Sequence, residues 1–551
     1  MKKTLSILLI VLLCIGISAC GETSQPASSN TAPPPQSNIT LPNQTPTEQP
    51  SGSAPDAPQS SAPTDEKPYG GILKMITTND TSYPFGLPWK SGANNSTQVI
   101  VPFGECLVLE STAGDIHPWL ATDLEIDVEK AEVRLNLRDD VYFSDGSKLT
   151  AEVVSWNFAK AREAGILNPA VDRVEVRGDY AVASVMVGGE FVNYIPNGQA
   201  SHSFAMISKE NFDKNGEDYA GEHPVGTGPF IMTEKNPGVS VKYARNPNYW
   251  QEGKPYLDGF EFHAITDVMT QNAAMLTSGS DRIDVLNASG NAEQWSVLGS
   301  DPNLTVYAFT NGVTAIYPSS RNEDSPFANL EVRQAVSYAI DRQTIADAKG
   351  FGYLGPATQY IANGYYGYFP DGRNMFSYDP AKAKELLSAA GYPNGFNTVW
   401  HVNNNVDKDI TLAITDMLAD IGIICELDFC ETARLSELRA TGWEGMIYMA
   451  FTSLASLPST FRLQVDPYYA FNVSTWRPPD YEQDFINLRQ SPTFDQGLAQ
   501  IAHQWIADYM VVVPVMQQAS TYIVRNNVKD GEFGYWAVGT QWLPSNIWIE
   551  P

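Results

Sequence analysis

The chain has 551 residues, with 63 Asp and Glu against 35 Lys and Arg, for a net charge of −28. That length exceeds what one hydrophobic core organises, roughly 250–300 residues, so at least two lobes are expected. The acidity excludes a nucleic-acid partner, which needs a basic face, and suits solubility outside the cell. Five cysteines, two of them (Cys14 and Cys20) near the N-terminus, do not make a disulfide scaffold. Cys425 and Cys430 fall at odd spacing in an expected strand, so their side chains should face opposite sides. The six histidines, His117, His202, His223, His263, His401 and His503, are scattered, with no His-x3-His or Cys-x2-Cys pair. No metal site and no cofactor is therefore expected.

In chain order, Lys2 and Lys3 precede a Leu- and Ile-rich run and small residues before Cys20, so 1–20 reads as a secretory signal. Residues 21–67 are rich in Pro, Ser and Thr, and they bury too little apolar surface to fold, so they read as a disordered tether. Order begins near Tyr69, with Ile72, Leu73 and Met75 in a strand and the polar Thr78, Asn79 and Asp80 just after it. Val133, Leu135 and Leu137 alternate as a strand does. Thr150 is an N-cap with Glu152 in the first turn, and Val154, Phe158 and Ala161 share a face, predicting a helix over Thr150–Ala164 that stops at Gly165.

Gly226, Gly228 and Pro229 form a turn before a strand at Phe230–Thr233, and Asn236, Pro237 and Gly238 form a hairpin turn before Val239, Val241 and Tyr243. Phe260 and Phe262 mark the next strand. A helix carrying Ala273, Ala274 and Leu276 breaks at Gly279, and Ile283–Leu286 is a short strand. Further strands are expected at Asn303–Phe309 and at Thr314–Tyr317, the latter crossing toward the second lobe. Val332, Ala335, Val336, Ala339 and Ile340 keep helical spacing. Asp379 caps, and Pro380 opens, a helix through Ala389 that Gly391 ends.

Phe396–Val402 is a strand, a helix begins at Asp407 or Asp409 with Ile410, Ile414, Met417, Leu418 and Ile421 inward, and Ile423–Phe429 is a strand. That is the pattern of a parallel, right-handed crossover, whose ligand crevice lies outside the carboxyl ends of the strands and so near Trp400, Asn403 and Asn404. Thr493 is expected to cap a last helix carrying Leu498, Ile501 and Trp505, followed by Val511–Val515 and Tyr522–Val524.

Several spaced motifs, VGTGPF from Val225, RNPNYW from Arg245, SGSDRID from Ser278, FSDG from Phe143 and VRQAVSYAIDR from Val332, together resemble the family 5 extracellular solute-binding proteins. The resemblance implies an α/β, two-lobed fold of the type II periplasmic-binding-protein kind, with a hinge and an accessory α+β subdomain in the first lobe. Its parts would be a first lobe at 68–315 with the subdomain at about 110–220, a second lobe at 316–500 and a return to the first lobe at 501–551. It implies a monomeric receptor that closes over a solute and hands it to the permease subunits of an ABC importer. Ile17, Ser18, Ala19, Cys20 and Gly21 resemble a bacterial lipobox, implying lipidation of Cys20 and an extracytoplasmic, membrane-anchored location. Arg333 and Asp341 in the VRQAVSYAIDR motif read as helix-stabilising.

The resemblance also places candidate ligand contacts. The loop after the first strand, Thr78, Asn79 and Asp80, would lie at the mouth of the cleft. Peptide binders of the family carry an aromatic residue followed three positions later by an aspartate that holds the peptide amino group. Phe451 fits the aromatic, with Thr452 and Ser453 beside it, but the third residue on is Leu454, and no acid follows until Asp466. An ammonium brought into a closed cleft with no counter-charge costs several kcal/mol. The primary expectation is a peptide-like solute, N-blocked or otherwise oriented. The alternative is an oligosaccharide stacked on Trp400, Phe451 or Trp476 and bonded by Asn403 and Asn404. An enzyme on the same scaffold, such as a glycosidase with two carboxylates about 5–9 Å apart, has no supporting Gly-x-Ser-x-Gly, zincin or P-loop pattern.

Overall fold

The computed structural model describes residues 67–78, 81–90, 97–112, 115–167, 170–186, 202–288, 292–362, 368–369, 377–452, 472–478, 481–491, 495–536 and 542–551. Ten strands form one mixed sheet: β1 Ile72–Thr77, β2 Phe230–Asn236, β3 Ser240–Arg245, β4 Gly259–Ala264, β5 Val285–Asn287, β6 Leu304–Pro318, β7 Phe396–Asn403, β8 Ile423–Cys430, β9 Met446–Thr452 and β10 Val513–Arg525. Their order is β8-β7-β9-β6-β10-β5-β1-β4-β3-β2. The long antiparallel pair of β6 and β10 is the shared spine. Its Leu304 to Tyr307 end lies beside β5, and its Gly312 to Pro318 end lies beside β9.

Two buried cores flank this spine. One gathers β1, β3 and β4 with the 85–108 segment, around residues such as Phe85, Phe103, Phe260, Phe262 and Trp542. The other gathers β7, β8 and β9 with most of the later helices, around Tyr317, Trp400, Ile414 and Ile506. Met275, Ile283, Trp295 and Leu304 pack with this second core, as does Ile76 of β1. A separate antiparallel sheet runs 121–127, 132–137, 181–186 and 171–176 in that order. Its helix α1, Ala151–Glu163, is capped by the Thr150 side chain and buries Val154, Phe158 and Ala161. Trp89 and Trp156 pack edge to face beside it, 5.6 Å apart. Among the described residues, no helix is long and apolar enough to cross a membrane.

The GTGPF turn has a packing cause. A Cβ at Gly226 would stand 2.0 Å from the Phe103 carbonyl oxygen, and one at Gly228 would stand 2.6 Å from its carbon. Only glycine lets the turn lie against that backbone, where the Gly228 N–H donates to Phe103 at 2.8 Å.

In the second core, α2 Leu330–Ala339, α3 Arg342–Lys349, α4 Pro380–Ala389, α5 Lys408–Asp420, α6 Thr432–Thr441 and α7 Gln496–Asp508 surround the sheet. β7, α5 and β8 form the expected parallel crossover, and Asp407, not Asp409, caps α5. Cys425 and Cys430 are free thiols on alternate faces of β8.

Four expectations need correction. Asn303–Phe309 and Thr314–Tyr317 belong to the single strand β6, which bulges between Thr310 and Gly312 and between Thr314 and Ala315. Bulges bend a strand without ending it, so a break in the alternation did not mark two elements. Val511–Val515 and Tyr522–Val524 likewise belong largely to the continuous β10. Helix α7 starts at Gln496 under an Asp495 cap, while Thr493 lies outside the described residues. Its inward residues are Ala499, Ala502 and Ile506, and Ile501 faces solvent, as do Leu276 on its own helix and Val239 in its turn.

Candidate functional site

The carboxyl ends of strands from both cores converge on the middle of β6 and β10. β1 and β5 run parallel, and β5 pairs antiparallel with β10 through Asn287 and Tyr522, level with Tyr307 of β6. From the other side, β9 ends at Thr452 opposite Gly312 of β6. The two rims are thus five residues apart along β6, about 16 Å at roughly 3.3 Å per residue, the width of a small extended ligand. Between them sit the β6 bulge and Asn311, whose Nδ2 donates to Ser520 Oγ at 2.6 Å.

The described residues of the first rim are hydrogen-bonded polar groups. Thr77 Oγ1 donates to Gln98 Oε1 at 3.0 Å, and the Tyr522 hydroxyl bonds to both Asn287 and Gln98. Burial pushes the Tyr522 phenol well above its usual range, so it stays protonated at any physiological pH. Sequence reasoning missed Gln98, Asn287, Asn311, Ser520 and Tyr522. Asn287 and Tyr522 meet only through strand register, which composition and periodicity do not carry.

On the second rim, Asn403 and Asn404 end β7 as expected. Asn403 is buried; its Nδ2 donates to Thr432 Oγ1 at 3.4 Å, and its Oδ1 accepts from the Asn405 N–H at 2.8 Å. Exposed Asn404 donates to Glu431 Oε1 at 2.8 Å. The backbone of Phe451 and Thr452 closes β9 on this rim. Thr78 is exposed just past β1, whereas Asn79, Asp80, Ser453 and Cys20 lie outside the described residues.

Two expected contacts are displaced. Trp400 is fully buried and packs on Tyr448 with ring centroids 5.6 Å apart, because β7 is an interior strand covered on both faces. Its ring offers no face to a ligand. Trp476 lies at the opposite pole: its N–H donates to Ser320 Oγ at 2.8 Å, beyond the end of β6 that pairs with Met446 at the start of β9. Met446 and Thr452 are six residues apart, so about 20 Å of strand separates Trp476 from the crevice rim. There Trp476 packs on Tyr509 at 5.3 Å. A recess of about 660 Å³, lined by Ser319, Asn322, Asn397, Glu426 and Glu444, belongs to this same far pole.

Below the second rim, His401 Nδ1 lies 2.7 Å from Asp428 Oδ2, and Cys430 Sγ lies 3.4 Å from the same oxygen. The His401 contact holds the Asp428 carboxyl below its ordinary range. Burial, aided by Asp428, pushes the Cys430 thiol up to about 11. Among the described residues, the crevice presents mainly amides, hydroxyls and strand-end backbone, with the Glu431 carboxylate at its second rim. Such groups recognise a polar solute and leave it chemically unchanged.

The comparisons agree with this geometry. A profile of the bacterial extracellular solute-binding proteins, family 5, matches residues 115–466. The glutathione-binding protein GsiB of Salmonella typhi is 31% identical over 376 residues, covering 65% of this chain and 69% of that protein. GsiB of Escherichia coli O157:H7 is 28% identical over 380 residues, covering 65% and 70%. Among solved structures, HbpA2 from Haemophilus parasuis superposes with a TM-score of 0.75 at 20% identity, covering 87% of this chain and 100% of that one. DppA from Helicobacter pylori, in complex with the peptide STSA, gives 0.70 at 21% identity, covering 88% and 99%. These neighbours share the two-lobed α/β fold of type II periplasmic binding proteins. The chain therefore belongs to the family 5 bacterial extracellular solute-binding proteins, the extracytoplasmic receptors of ABC importers, and is a binding protein and not an enzyme.

Proposed function

We propose that this receptor captures a peptide-like solute between its two strand-end rims, closes by bending at β6 and β10, and delivers the solute to its permease while held to the membrane by a lipid on Cys20. The observation that carries the reading is the lining itself: Asn287, Asn311, Ser520, Asn403 and Asn404 offer amides and a hydroxyl, the groups that pair with peptide bonds. The relatives that bind glutathione, itself a small peptide, support it. The oligosaccharide reading loses two of its three aromatic faces, since Trp400 is enclosed and Trp476 is remote, and it keeps only Phe451.

The peptide's amino end is not held by an acid three residues after Phe451, where Leu454 stands. Glu431 on the second rim is exposed and already engaged by Asn404, so water screens most of what it offers an ammonium. Calorimetry with di- to tetrapeptides and their N-acetylated forms is therefore expected to give affinities within about threefold of each other, a difference under roughly 1 kcal/mol. Tight binding that vanishes on acetylation would overturn this orientation. Binding of oligosaccharides but of no peptide in either form would overturn the peptide reading.

A further inference from the structure

Three metal-ligating side chains of different chemistry meet on one face of the β7 and β8 pair. In the parallel register His401 stands opposite Asp428, and Asn403 stands opposite Cys430. His401 and Cys430, which sits two residues past Asp428, therefore project on the same side as that aspartate. Imidazole nitrogen, carboxylate oxygen and thiol sulfur lie within 4.8 Å of one another. His401 and Cys430 are buried, and Asp428 is half-exposed, so the cluster has a dry base and an open side. The sequence separates these residues by up to 29 positions, and no ligand-spacing motif links them.

From this cluster we propose a site for a thiophilic divalent cation of the Zn²⁺ class, ligated by His401 Nδ1, Asp428 Oδ2 and Cys430 Sγ, with a fourth position open to water beside Asp428. Metal–ligand distances of about 2.0–2.3 Å place tetrahedral donors roughly 3.3–3.8 Å apart. The Cys430 to Asp428 separation of 3.4 Å already meets this, and the 2.7 Å His401 to Asp428 contact opens by under about 1 Å through side-chain rotation. Sulfur with imidazole selects Zn²⁺ over Mg²⁺ or Ca²⁺, which take oxygen ligands.

The protons balance simply. The Cys430 thiol releases one to solvent, and the His401 ring exchanges the Nδ1 proton that faces Asp428 for one on Nε2, freeing Nδ1 for the ion. Thiolate and carboxylate then neutralise the divalent charge. That neutrality matters because the Arg434 guanidinium acts on both Asp428 and Cys430 and opposes a bare cation. The ion would join the edge strand β8 to β7 just below Asn403, and so brace one rim of the crevice.

The test is a Co²⁺ titration of the reduced, chelator-stripped full-length protein carrying no polyhistidine tag. The expected result is one ion per chain, with a thiolate-to-cobalt charge-transfer band that Zn²⁺ displaces. Changing even an outer-shell partner of a metal costs roughly 10–100-fold in affinity, so Cys430→Ser should abolish the band and weaken binding by at least about 100-fold. Cys425→Ala, on the other face of the strand, should leave both intact. Asp428→Asn, at a half-exposed position that tolerates change, should weaken binding by at least about tenfold. No band in the parent protein, a band that survives Cys430→Ser, or unchanged affinity in Asp428→Asn would each overturn the site.

Discussion

Replacing Glu105 by Ala should destabilise the first core by about 4 kcal/mol, an effect at the extreme of single substitutions. The carboxylate is buried, and it accepts from Trp119 Nε1 at 2.9 Å, the Tyr249 hydroxyl at 2.7 Å and Trp250 Nε1 at 3.0 Å. Tyr249 and Trp250 come from the RNPNYW motif and Trp119 from a much earlier segment, so parts of the chain distant in sequence are joined at one acid. Removing it strands three donors, each costing about 1–3 kcal/mol in isolation and less where a water enters. The neighbouring void holds about 20 Å³, room for one water at most, so solvent relieves only part of the loss.

Glu105→Gln should cost less, about 2 kcal/mol, because its amide oxygen still accepts while its NH2 meets other donors. The pH dependence has a definite sign. Burial raises the Glu105 carboxyl above its ordinary range against the pull of its donors. A carboxyl raised on folding contributes stability that is fully present below its unfolded value and is lost as pH rises through its folded value. The difference between parent and Glu105→Gln should therefore be largest in mild acid and shrink as pH rises through that window. Urea unfolding followed by tryptophan emission reads both effects, since Trp119 and Trp250 touch the site. A midpoint shift equivalent to less than about 1 kcal/mol in Glu105→Ala would refute the hub.

Glu105 also shows where sequence reading stops. The turns, caps and alternations around it were legible one by one, because Gly226, Thr150 or Val133 act through backbone geometry and spacing that the chain displays locally. The convergence of Trp119, Tyr249 and Trp250 on one carboxylate was not, since nothing local marks an acid as buried. The same division runs through the crevice. Asn403 and Asn404 could be placed at the carboxyl end of β7 because a βαβ unit fixes which strand ends line its crevice. Trp400, one position off the alternation of Asn403, was misplaced because an interior strand buries both faces, and an aromatic residue there reads equally as core or platform. Trp476 was misplaced because the chain beyond β9 returns to that strand's amino end. The row of Thr77, Asn287 and Tyr522 and the His401, Asp428 and Cys430 cluster exist only through strand register.

Arg333→Met is expected to lower the stability of the second core by about 3 kcal/mol while leaving solute affinity within about threefold of the parent. The guanidinium is 2% exposed and donates to three carbonyls: to Tyr509 O from Nε at 3.0 Å and Nη2 at 2.8 Å, and from Nη1 to Phe327 O at 2.8 Å and Ala328 O at 2.9 Å. Burial lowers it to about 10, so it remains charged at neutral pH. Tyr509 ends α7, four residues before β10 begins. Arg342, at the other end of the same motif, donates to Pro514 O at 2.7 Å inside β10. Arg342 thus fastens the helices of the second core to β10, and Arg333 fastens them to the end of α7 that leads into it.

Methionine fills much of the space but leaves those carbonyls unbonded in a dry site. Lysine keeps the charge yet presents one point donor where a planar fork spans three acceptors, so Arg333→Lys should recover little of the loss. Thermal or urea unfolding of the parent, Arg333→Met and Arg333→Lys, run beside calorimetry with a bound peptide, separates the possibilities. An unchanged unfolding midpoint with lost solute binding would make Arg333 a ligand residue. A lowered midpoint with affinity retained fixes it as a structural anchor of the second core.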